Sequence, residues 1–289
     1  MTERAEIGIL GGSGLYALAA LEDARDVRVD TPYGEPADAL RIGRLDGRSI
    51  AFLARHGRSH RLLPNEIDHR ANVYALKAVG VSRVLSASAV GSLRETIRPR
   101  DVVAVDQFVD RTPHRAGTFF GNGIAAHVSF ADPVCPELHG LLGRSARAQG
   151  ARVHERGTYL CIEGPAFSTR AESRLYRSWD LDVIGMTNLP EAKLAREAQL
   201  CYATLALVTD YDCWHEEEED VSVTAVLDNL RANAQLAVAI LRHVIRETPR
   251  ERAGCGCARA LEHAILTPRE AIPAAARERL RVILGDDPV

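Results

Sequence analysis

Short apolar segments alternate along this chain with amphipathic, helix-like stretches, and this alternation is the feature that most constrains the fold. Helix-like stretches such as RANVYALKAVG and PEAKLAREAQL lie between several of the apolar segments. Strands that are apolar along their whole length are typical of a parallel sheet covered on both faces by helices. We therefore predict an α/β fold with a central, mostly parallel sheet. Its predicted strands lie in EIGILGG, SIAFLARHG, RVLSASAVG, DVVAVDQFVD, GTYLCIEG, DVIGMT and YATLALVTDYD.

A long helix near the C-terminus and a change of composition after it set the predicted domain organisation. Apolar residues recur at helical spacing from Val223 to Ile245, which predicts an amphipathic helix. No break in composition precedes it, so we predict one domain over residues 1–248. The remaining residues, 249–289, begin with a linker-like segment. We predict that they form an extension with short helices around ALEHAIL and AAARERLRVIL.

The charge balance indicates the class of ligand. The chain has 289 residues, with 36 Lys and Arg against 39 Asp and Glu, and its formal net charge is −3. This balance provides no basic field for nucleic acid or an anionic membrane. We find no signal peptide and no run of about eighteen apolar residues. We therefore expect a cytoplasmic protein that binds small molecules, with no nucleic-acid or membrane partner.

The cysteines lack the spacing of common metal sites. No C-x-x-C pair is present, so we expect no metal ion and, in a reducing cytoplasm, free thiols. The GCGC segment at 254–257 is the exception, because its two thiols are suited to binding a metal or exchanging disulfides. The spacing leaves open whether Cys135 and Cys201, or Cys255 and Cys257, form bonds. The six cysteines are Cys135, Cys161, Cys201, Cys213, Cys255 and Cys257.

A glycine-rich turn follows the first predicted strand, in ILGGSGLYAL at residues 9–18. Glycine allows the backbone to approach an anion closely, and Ser13 adds a hydroxyl. The turn also matches the dinucleotide fingerprint G-x-G-x-x-G weakly, with Ala17 at the third glycine position. Taken alone, the turn is compatible with a phosphate site, a Rossmann dehydrogenase or an ordinary strand-to-helix connection.

Further polar clusters lie at the ends of predicted strands, where open α/β sheets place their ligands. Arg55 and His56 in LARHGRSHR offer a guanidinium fork and an imidazole to an oxyanion, although a basic surface turn has the same composition. SASAVGSLR presents hydroxyls and backbone N–H groups, or simply packs tightly. In IGMTNLPEA, Thr187 precedes a helix and Met186 offers an apolar contact or belongs to the core.

Two carboxylates follow the last predicted strand, in TDYDCW. Strand alternation predicts that the side chains of Asp210 and Asp212 point to one side. Such a pair is suited to acid–base chemistry, to a metal ion or to simple solvation. Metal is the weakest of these interpretations, because no third carboxylate or histidine lies at ligand spacing.

Taken in order, these motifs resemble the 5'-methylthioadenosine phosphorylases of the purine nucleoside phosphorylase superfamily. The resemblance runs from residue 5 to about residue 245 and removes the dehydrogenase interpretation. It implies a single-domain nucleoside phosphorylase fold, in which the central sheet is mixed and largely parallel. The motifs that carry it are GGSGLY, ARHGRSH, DHRANVYALK, AVGSLRE, DQFVDRT, IEGPAFSTRAE, VIGMTNLPEAKLAREA and TDYDCW.

The activity implied by this resemblance is phosphorolysis. Inorganic phosphate attacks C1' of 5'-methylthioadenosine and yields adenine and 5-methylthioribose 1-phosphate. Phosphate is then a co-substrate, and we expect no cofactor. The phosphate-binding residues implied by the resemblance are Ser13, Arg55, His56, Ser88, Ala89 and Thr187.

The resemblance also implies how the nucleoside is bound. Adenine presents an N6 donor beside the N7 acceptor, and a protonated carboxyl group matches both. Asp210 is the expected general acid, since burial beside the purine would raise its pKa. His127 is implied to reach a neighbouring subunit's site, which predicts a homotrimer or a dimer of trimers. The other implied contacts are Asp212 beside the base, Phe167 and Met186 around purine and ribose, Ser168, and an apolar 5' wall including Val223 and Val226.

Three other functions stay open from the sequence. A related phosphorylase acting on 6-oxopurine nucleosides usually carries asparagine where Asp210 stands, so Asp210 favours a 6-aminopurine. A hydrolytic nucleosidase would not need the phosphate-binding residues. A non-catalytic adenosine-binding module would not need the acid.

Overall fold

A computed structural model describes residues 4–12, 15, 18, 20–215, 223–252 and 254–285, except for the side chains of 223–228 and 230. In this part of the chain, eleven strands form one mixed sheet. The strands are β1 (Ile7–Gly11), β2 (Glu22–Val27), β3 (Leu40–Leu45), β4 (Arg48–Ala54), β5 (Arg83–Ser92), β6 (Val102–Ala104), β7 (Gln107–Arg111), β8 (Val153–His154), β9 (Thr158–Ile162), β10 (Val183–Gly185) and β11 (Cys201–Asp210). The helices are α1 (His69–Ala78), α2 (Pro136–Ala148), α3 (Arg170–Ser178), α4 (Glu191–Glu197), α5 (Val223–Glu247) and α6 (Ala274–Leu284).

Strand β5 is the centre of the sheet. It pairs in parallel with β1 on one side and with β11 on the other, and β1 pairs in parallel with β4. Near its C-terminal end, β5 also pairs antiparallel with β10. The prediction of a mixed, largely parallel sheet flanked by helices is confirmed. Because parallel strands end at the same edge, the polar segments after β1, β4, β5 and β11 are brought together.

Strand β11 shows why the central strands are apolar throughout. Tyr202, Ala206 and Val208 belong to one buried cluster, which includes residues of α1 and α4. The alternate residues Leu205 and Leu207 belong to a second cluster, formed with α2 and α5. Successive side chains of a strand point to opposite faces, so a strand that is covered on both faces is apolar at every position.

The predicted amphipathic helix is present as α5, over Val223–Glu247. Its side chains at Ala237, Leu241 and Val244 are fully buried against the second cluster, as the periodicity predicts. Among the described residues, no helix combines the length and the apolar character needed to cross a membrane.

The C-terminal extension contributes to the same core as the rest of the chain. Leu261, Ile272 and Leu280 are buried in the first cluster together with side chains of α1 and α4. The predicted helix in AAARERLRVIL is present as α6. The helix predicted around ALEHAIL is wrong: His263 adopts a φ of 64°, and Ile265 forms a β-bridge with Ala126. The domain boundary at residue 248 stays a prediction.

We predict that the substitution Leu280→Ala destabilises the whole protein. Leu280 is completely buried in α6, so truncation removes apolar contacts and leaves a cavity, at a cost of about 2–5 kcal/mol in the free energy of unfolding. Urea denaturation measures the loss. The matched control is Leu266→Ala in the same extension, where the side chain is 65% exposed. Equal stability of the two variants would contradict packing of α6 into the core.

Candidate active site

A cavity of about 260 Å³ lies where the carboxyl ends of β1, β4, β5, β10 and β11 meet. Its walls combine apolar side chains with hydroxyl, imidazole and carboxylate groups. Most of the residues that the sequence analysis selected lie around this one space. They are Arg55, His56, Ser88, Ala89, Phe167, Ser168, Met186, Thr187, Asp210 and Asp212.

The guanidinium group of Arg55 is almost completely buried beneath the cavity. Its Nε donates to Glu191 Oε2 at 2.8 Å, and its Nη2 donates to Glu191 Oε1 at 3.2 Å. Nη2 also donates to Ser86 Oγ at 2.7 Å, and Nη1 to the Ala87 carbonyl at 3.2 Å. The fork that we expected to face an oxyanion is therefore directed at Glu191, which offsets the positive charge of Arg55.

Glu191 is a functional residue that the sequence analysis missed. It is buried at the start of α4 and accepts hydrogen bonds from Ser86 Oγ at 2.8 Å and Tyr202 Oη at 2.7 Å. Burial alone would raise the pKa of this carboxyl, but the charge and hydrogen bonds of Arg55, together with smaller contributions from His69 and Tyr202, hold the pKa below its ordinary value. The available signal was the place of this carboxylate at the first position of a helix, four residues after Thr187.

Asn188 extends this buried network toward the cavity. Its Nδ2 donates to Tyr202 Oη at 2.8 Å and to Ser86 Oγ at 3.0 Å. Its Oδ1 accepts from Ser88 Oγ at 2.8 Å. Ser88 is thus positioned by residues that do not line the cavity, and the hydrogen-bonded network gives the cavity floor a defined geometry.

Two hydroxyl groups at the cavity lack hydrogen-bond partners within the described part of the chain. They are Thr187 Oγ1 and Ser168 Oγ, and both oxygens are buried. The backbone N–H of Thr187 donates to Tyr159 Oη at 3.4 Å, whereas its side-chain hydroxyl has no such partner among the described residues. Because an unsatisfied buried hydroxyl is costly, both groups are suited to a polar ligand.

His56 presents an imidazole whose protonation state follows from its surroundings. Nδ1 lies 2.9 Å from the Leu62 carbonyl, and a carbonyl only accepts, so Nδ1 carries the proton. Burial lowers the pKa of His56 to about 4, so the ring is neutral at pH 7. Nε2 therefore carries a lone pair and accepts a hydrogen bond. In this state, His56 is suited to the P–OH of a hydrogen phosphate ion.

The two carboxylates at the end of β11 lie in different environments. Asp210 accepts from Thr209 Oγ1 at 2.7 Å and from the Asp212 backbone N–H at 2.8 Å. Asp212 follows in a turn with a φ of 56°, and one of its oxygens is buried without a partner in the described structure. Burial raises the pKa of Asp212, and the neighbouring charge of Asp210 raises it further. Both side chains line the cavity.

Gly91 provides the space that Asp210 occupies. A Cβ atom at this position would lie 2.8 Å from Asp210 Oδ1 and 3.3 Å from the Asp212 backbone nitrogen. Any side chain here would therefore displace the carboxylate from its present place. Gly185 has a similar role, since a Cβ there would lie within 2.7 Å of Tyr159 Cζ.

Four predicted site residues are not placed in this cavity. Ser13 and the side chains of Val223 and Val226 lie outside the described residues, although Gly12 just before Ser13 lines the cavity. His127 lines a second cavity of about 420 Å³, together with Arg196 and His263. Its predicted role concerns a neighbouring subunit and stays a prediction.

The sequence was compared with known families and proteins. The sequence pattern of the Phosphorylase superfamily matches residues 6–246. This chain belongs to that superfamily. The resemblance stated from the motifs is confirmed, and the fold agrees with it.

Relatives of this superfamily member match over nearly its full length. The S-methyl-5'-thioadenosine phosphorylase of Geobacter sulfurreducens is 56% identical, covering 96% of this chain and 98% of its own length. The enzyme of the same name from Thermosynechococcus vestitus is 54% identical, with 97% and 98% covered.

Two solved structures are also similar. A methylthioadenosine phosphorylase from an antarctic soil metagenomic library has a TM-score of 0.93 and 50% identity, covering 98% of this chain and all of its own. The methylthioadenosine phosphorylase of Schistosoma mansoni, in complex with adenine, has a TM-score of 0.85 and 35% identity, covering 90% and 96%.

We predict that His56 stays neutral in phosphate-free protein until the pH falls to about 4, because burial disfavours the imidazolium ion. Bound phosphate should raise this pKa, since a nearby anion stabilises the charged ring. NMR of ¹⁵N-labelled histidine measures both values, and the substitution His56→Gln assigns the signal. A midpoint at the ordinary value of 6.5 without phosphate would contradict the prediction.

Proposed function

We propose that this protein catalyses the phosphorolysis of 5'-methylthioadenosine to adenine and 5-methylthioribose 1-phosphate. The observation that carries the proposal is that hydroxyl groups suited to phosphate and a pair of carboxylates suited to a purine line the same cavity. The names of relatives at 56% and 54% identity support this substrate. The reaction needs inorganic phosphate as co-substrate and no cofactor.

The phosphate lies at the end of the cavity formed by the glycine turn, β4 and β5. Thr187 Oγ1 donates to it, and His56 Nε2 accepts from its P–OH. Backbone N–H groups at the turn and at Ala89 and the hydroxyl of Ser13 are further donors. The Ser88 hydroxyl, which donates to Asn188 Oδ1 in the structure, turns toward the phosphate when it binds. Arg55 contributes positive charge that Glu191 partly offsets, so hydrogen-bond donors provide most of the binding.

The purine lies at the carboxylate end of the cavity, between Phe167 and Met186. Cleavage of the C–N bond leaves positive charge on the ribose and moves negative charge into the base. The phosphate anion stabilises the ribose cation, and a proton delivered to N7 neutralises the base. Asp210 donates that proton and accepts from N6–H, while Asp212 supports the same edge.

The protonated form of Asp210 requires a change in its surroundings. The hydrogen bonds that Asp210 accepts from Thr209 Oγ1 and from the Asp212 backbone N–H favour the carboxylate. A bound purine excludes water and disfavours the anion. The neighbouring Asp212 is also buried, and burial raises its pKa. Two negative charges side by side are therefore disfavoured, which helps to keep a proton on the pair. The purine itself thereby creates the conditions for its protonation.

The proposed assembly is a homotrimer or a dimer of trimers, in which His127 contacts the site of the neighbouring subunit. Sedimentation velocity tests it directly. The prediction fails if the protein is monomeric at the concentrations at which it is active. A cytoplasmic location belongs to the same proposal.

A steady-state comparison of nucleosides tests the proposed reaction. We expect adenine release from 5'-methylthioadenosine only when inorganic phosphate is present. Equal release without phosphate would indicate a hydrolase instead. A strong preference for inosine would indicate a 6-oxopurine phosphorylase, and nucleoside binding without turnover would indicate a binding module.

We predict that Asp210→Asn lowers kcat by about 10²- to 10⁴-fold, because asparagine cannot transfer a proton to N7. The matched control is Asp23→Asn, an exposed position on β2 with a φ of 50° that asparagine tolerates. Stopped-time adenine assays with saturating phosphate measure both variants. Equal kcat values for Asp210→Asn and the parent protein would refute the assigned acid.

We also predict that Gly91→Ala lowers kcat by about 10- to 100-fold, because the added methyl group displaces the Asp210 carboxylate. The control is Gly117→Ala, where the nearest atom, Pro190 Cβ, would lie at an ordinary 3.7 Å. Circular dichroism shows whether both variants fold. Full activity of folded Gly91→Ala would contradict the requirement for Asp210 in its present position.

A further inference from the structure

Four cysteine thiols from three separate segments meet outside the proposed active site. Cys135 immediately precedes α2, Cys201 begins β11, and Cys255 and Cys257 belong to the C-terminal extension. Their four sulfur atoms all lie within 4.8 Å of one another. Cys201 Sγ and Cys255 Sγ are 3.4 Å apart, and all four thiols are free.

We propose that these four cysteines bind a structural metal ion, with Zn²⁺ as the preferred ion. Zinc–sulfur bonds of about 2.3 Å place the sulfurs of a regular tetrahedron about 3.8 Å apart. The observed spacing brackets this value, so small side-chain rotations complete the cage. Four protein ligands leave no open coordination position, which is characteristic of a structural site.

The surroundings suit thiolate ligands. Cys135, Cys201 and Cys257 are buried in the second apolar cluster, which limits access of water and competing ligands. Cys135 occupies the N-cap position of the thirteen-residue helix α2, where the helix dipole stabilises a thiolate. Cys255 is only partly buried and provides a route by which the ion enters.

The extension reaches this position through contacts that do not depend on a metal. Arg83 Nη2 donates to the Glu251 carbonyl at 2.6 Å. Arg252 Nη1 donates to the Gln199 carbonyl at 2.9 Å, two residues before Cys201. These bonds deliver Cys255 and Cys257 beside the start of β11. The site is therefore largely organised before the ion binds, and the ion then joins the extension to α2 and β11.

Convergence of all four sulfurs distinguishes a metal site from a pair of disulfides. Two disulfides require contact only within each pair, at about 2.05 Å, and do not require the two pairs to approach each other. A tetrahedral ion requires every sulfur to approach every other one. The sequence led us to expect no metal here, because spacing rules detect ligands that are close along the chain.

The experiment measures metal in the full-length chain, purified without a histidine tag under reducing conditions. After incubation with Zn²⁺ and removal of the excess, elemental analysis should find about one Zn²⁺ per chain. Cys255→Ser/Cys257→Ser should lose nearly all of it. Cys161→Ser is the matched control, because Cys161 is a buried cysteine of β9 outside the cluster, and it should retain the ion.

A titration of the unmodified protein keeps the test decisive if the double variant does not fold. Co²⁺ alone should produce the intense visible absorption of a tetrahedral thiolate complex, which Zn²⁺ then abolishes. Chelator treatment should lower the thermal midpoint of the parent protein and of Cys161→Ser. Neither readout depends on the proposed phosphorolysis.

Three results would overturn the proposal. They are less than about one tenth of an ion per reduced chain, a Co²⁺ spectrum without thiolate ligands, or a disulfide among these four cysteines in protein purified without oxygen. Each of them leaves the proposed reaction unaffected, since none concerns the cavity at the carboxyl ends of the strands.

Discussion

The buried ion pair of Arg55 and Glu191 is the interaction on which the rest of the site depends. It joins the segment after β4 to the start of α4, and Arg55 also donates to the backbones of β1 and β5. Removing two charges from water is costly, and the surrounding hydroxyls offset that cost only while both partners are present. The pair therefore holds four elements in one arrangement, and that arrangement forms the cavity floor.

The same pair determines the electrostatics of the cavity. Because Glu191 offsets the charge of Arg55, the proposed phosphate site relies on dipolar donors rather than on a free cation. His56 is neutral there for a related reason, since burial and the adjacent Arg55 both lower its pKa. At the other end, Asp210 and Asp212 place two carboxyl groups side by side. The cavity thus combines groups suited to an anion with groups suited to a proton donor.

Much of this arrangement was predictable from local patterns. Arg55 follows the apolar strand β4 and Asp210 ends the apolar strand β11, and the parallel pairing of β4, β1, β5 and β11 brings both positions to one edge. Thr187 reaches the same edge from β10, which pairs antiparallel with β5. Glu191 was missed, because a charged residue at the start of a helix ordinarily faces water. The segment ALEHAIL was misassigned because its spacing is helical, whereas the left-handed conformation of His263 and pairing with Ala126 decide its structure.

The sequence by itself determined the α/β class, the long helix α5, the family and ten of the residues that line the cavity, because apolar periodicity and motif order are properties of the chain alone. Only the tertiary structure decided which charges neutralise each other and which thiols meet. Arg55 and Glu191 are 136 positions apart, and three segments supply the four cysteines. Such contacts depend on how strands and helices pack, and packing joins residues whose separation along the chain carries no signal.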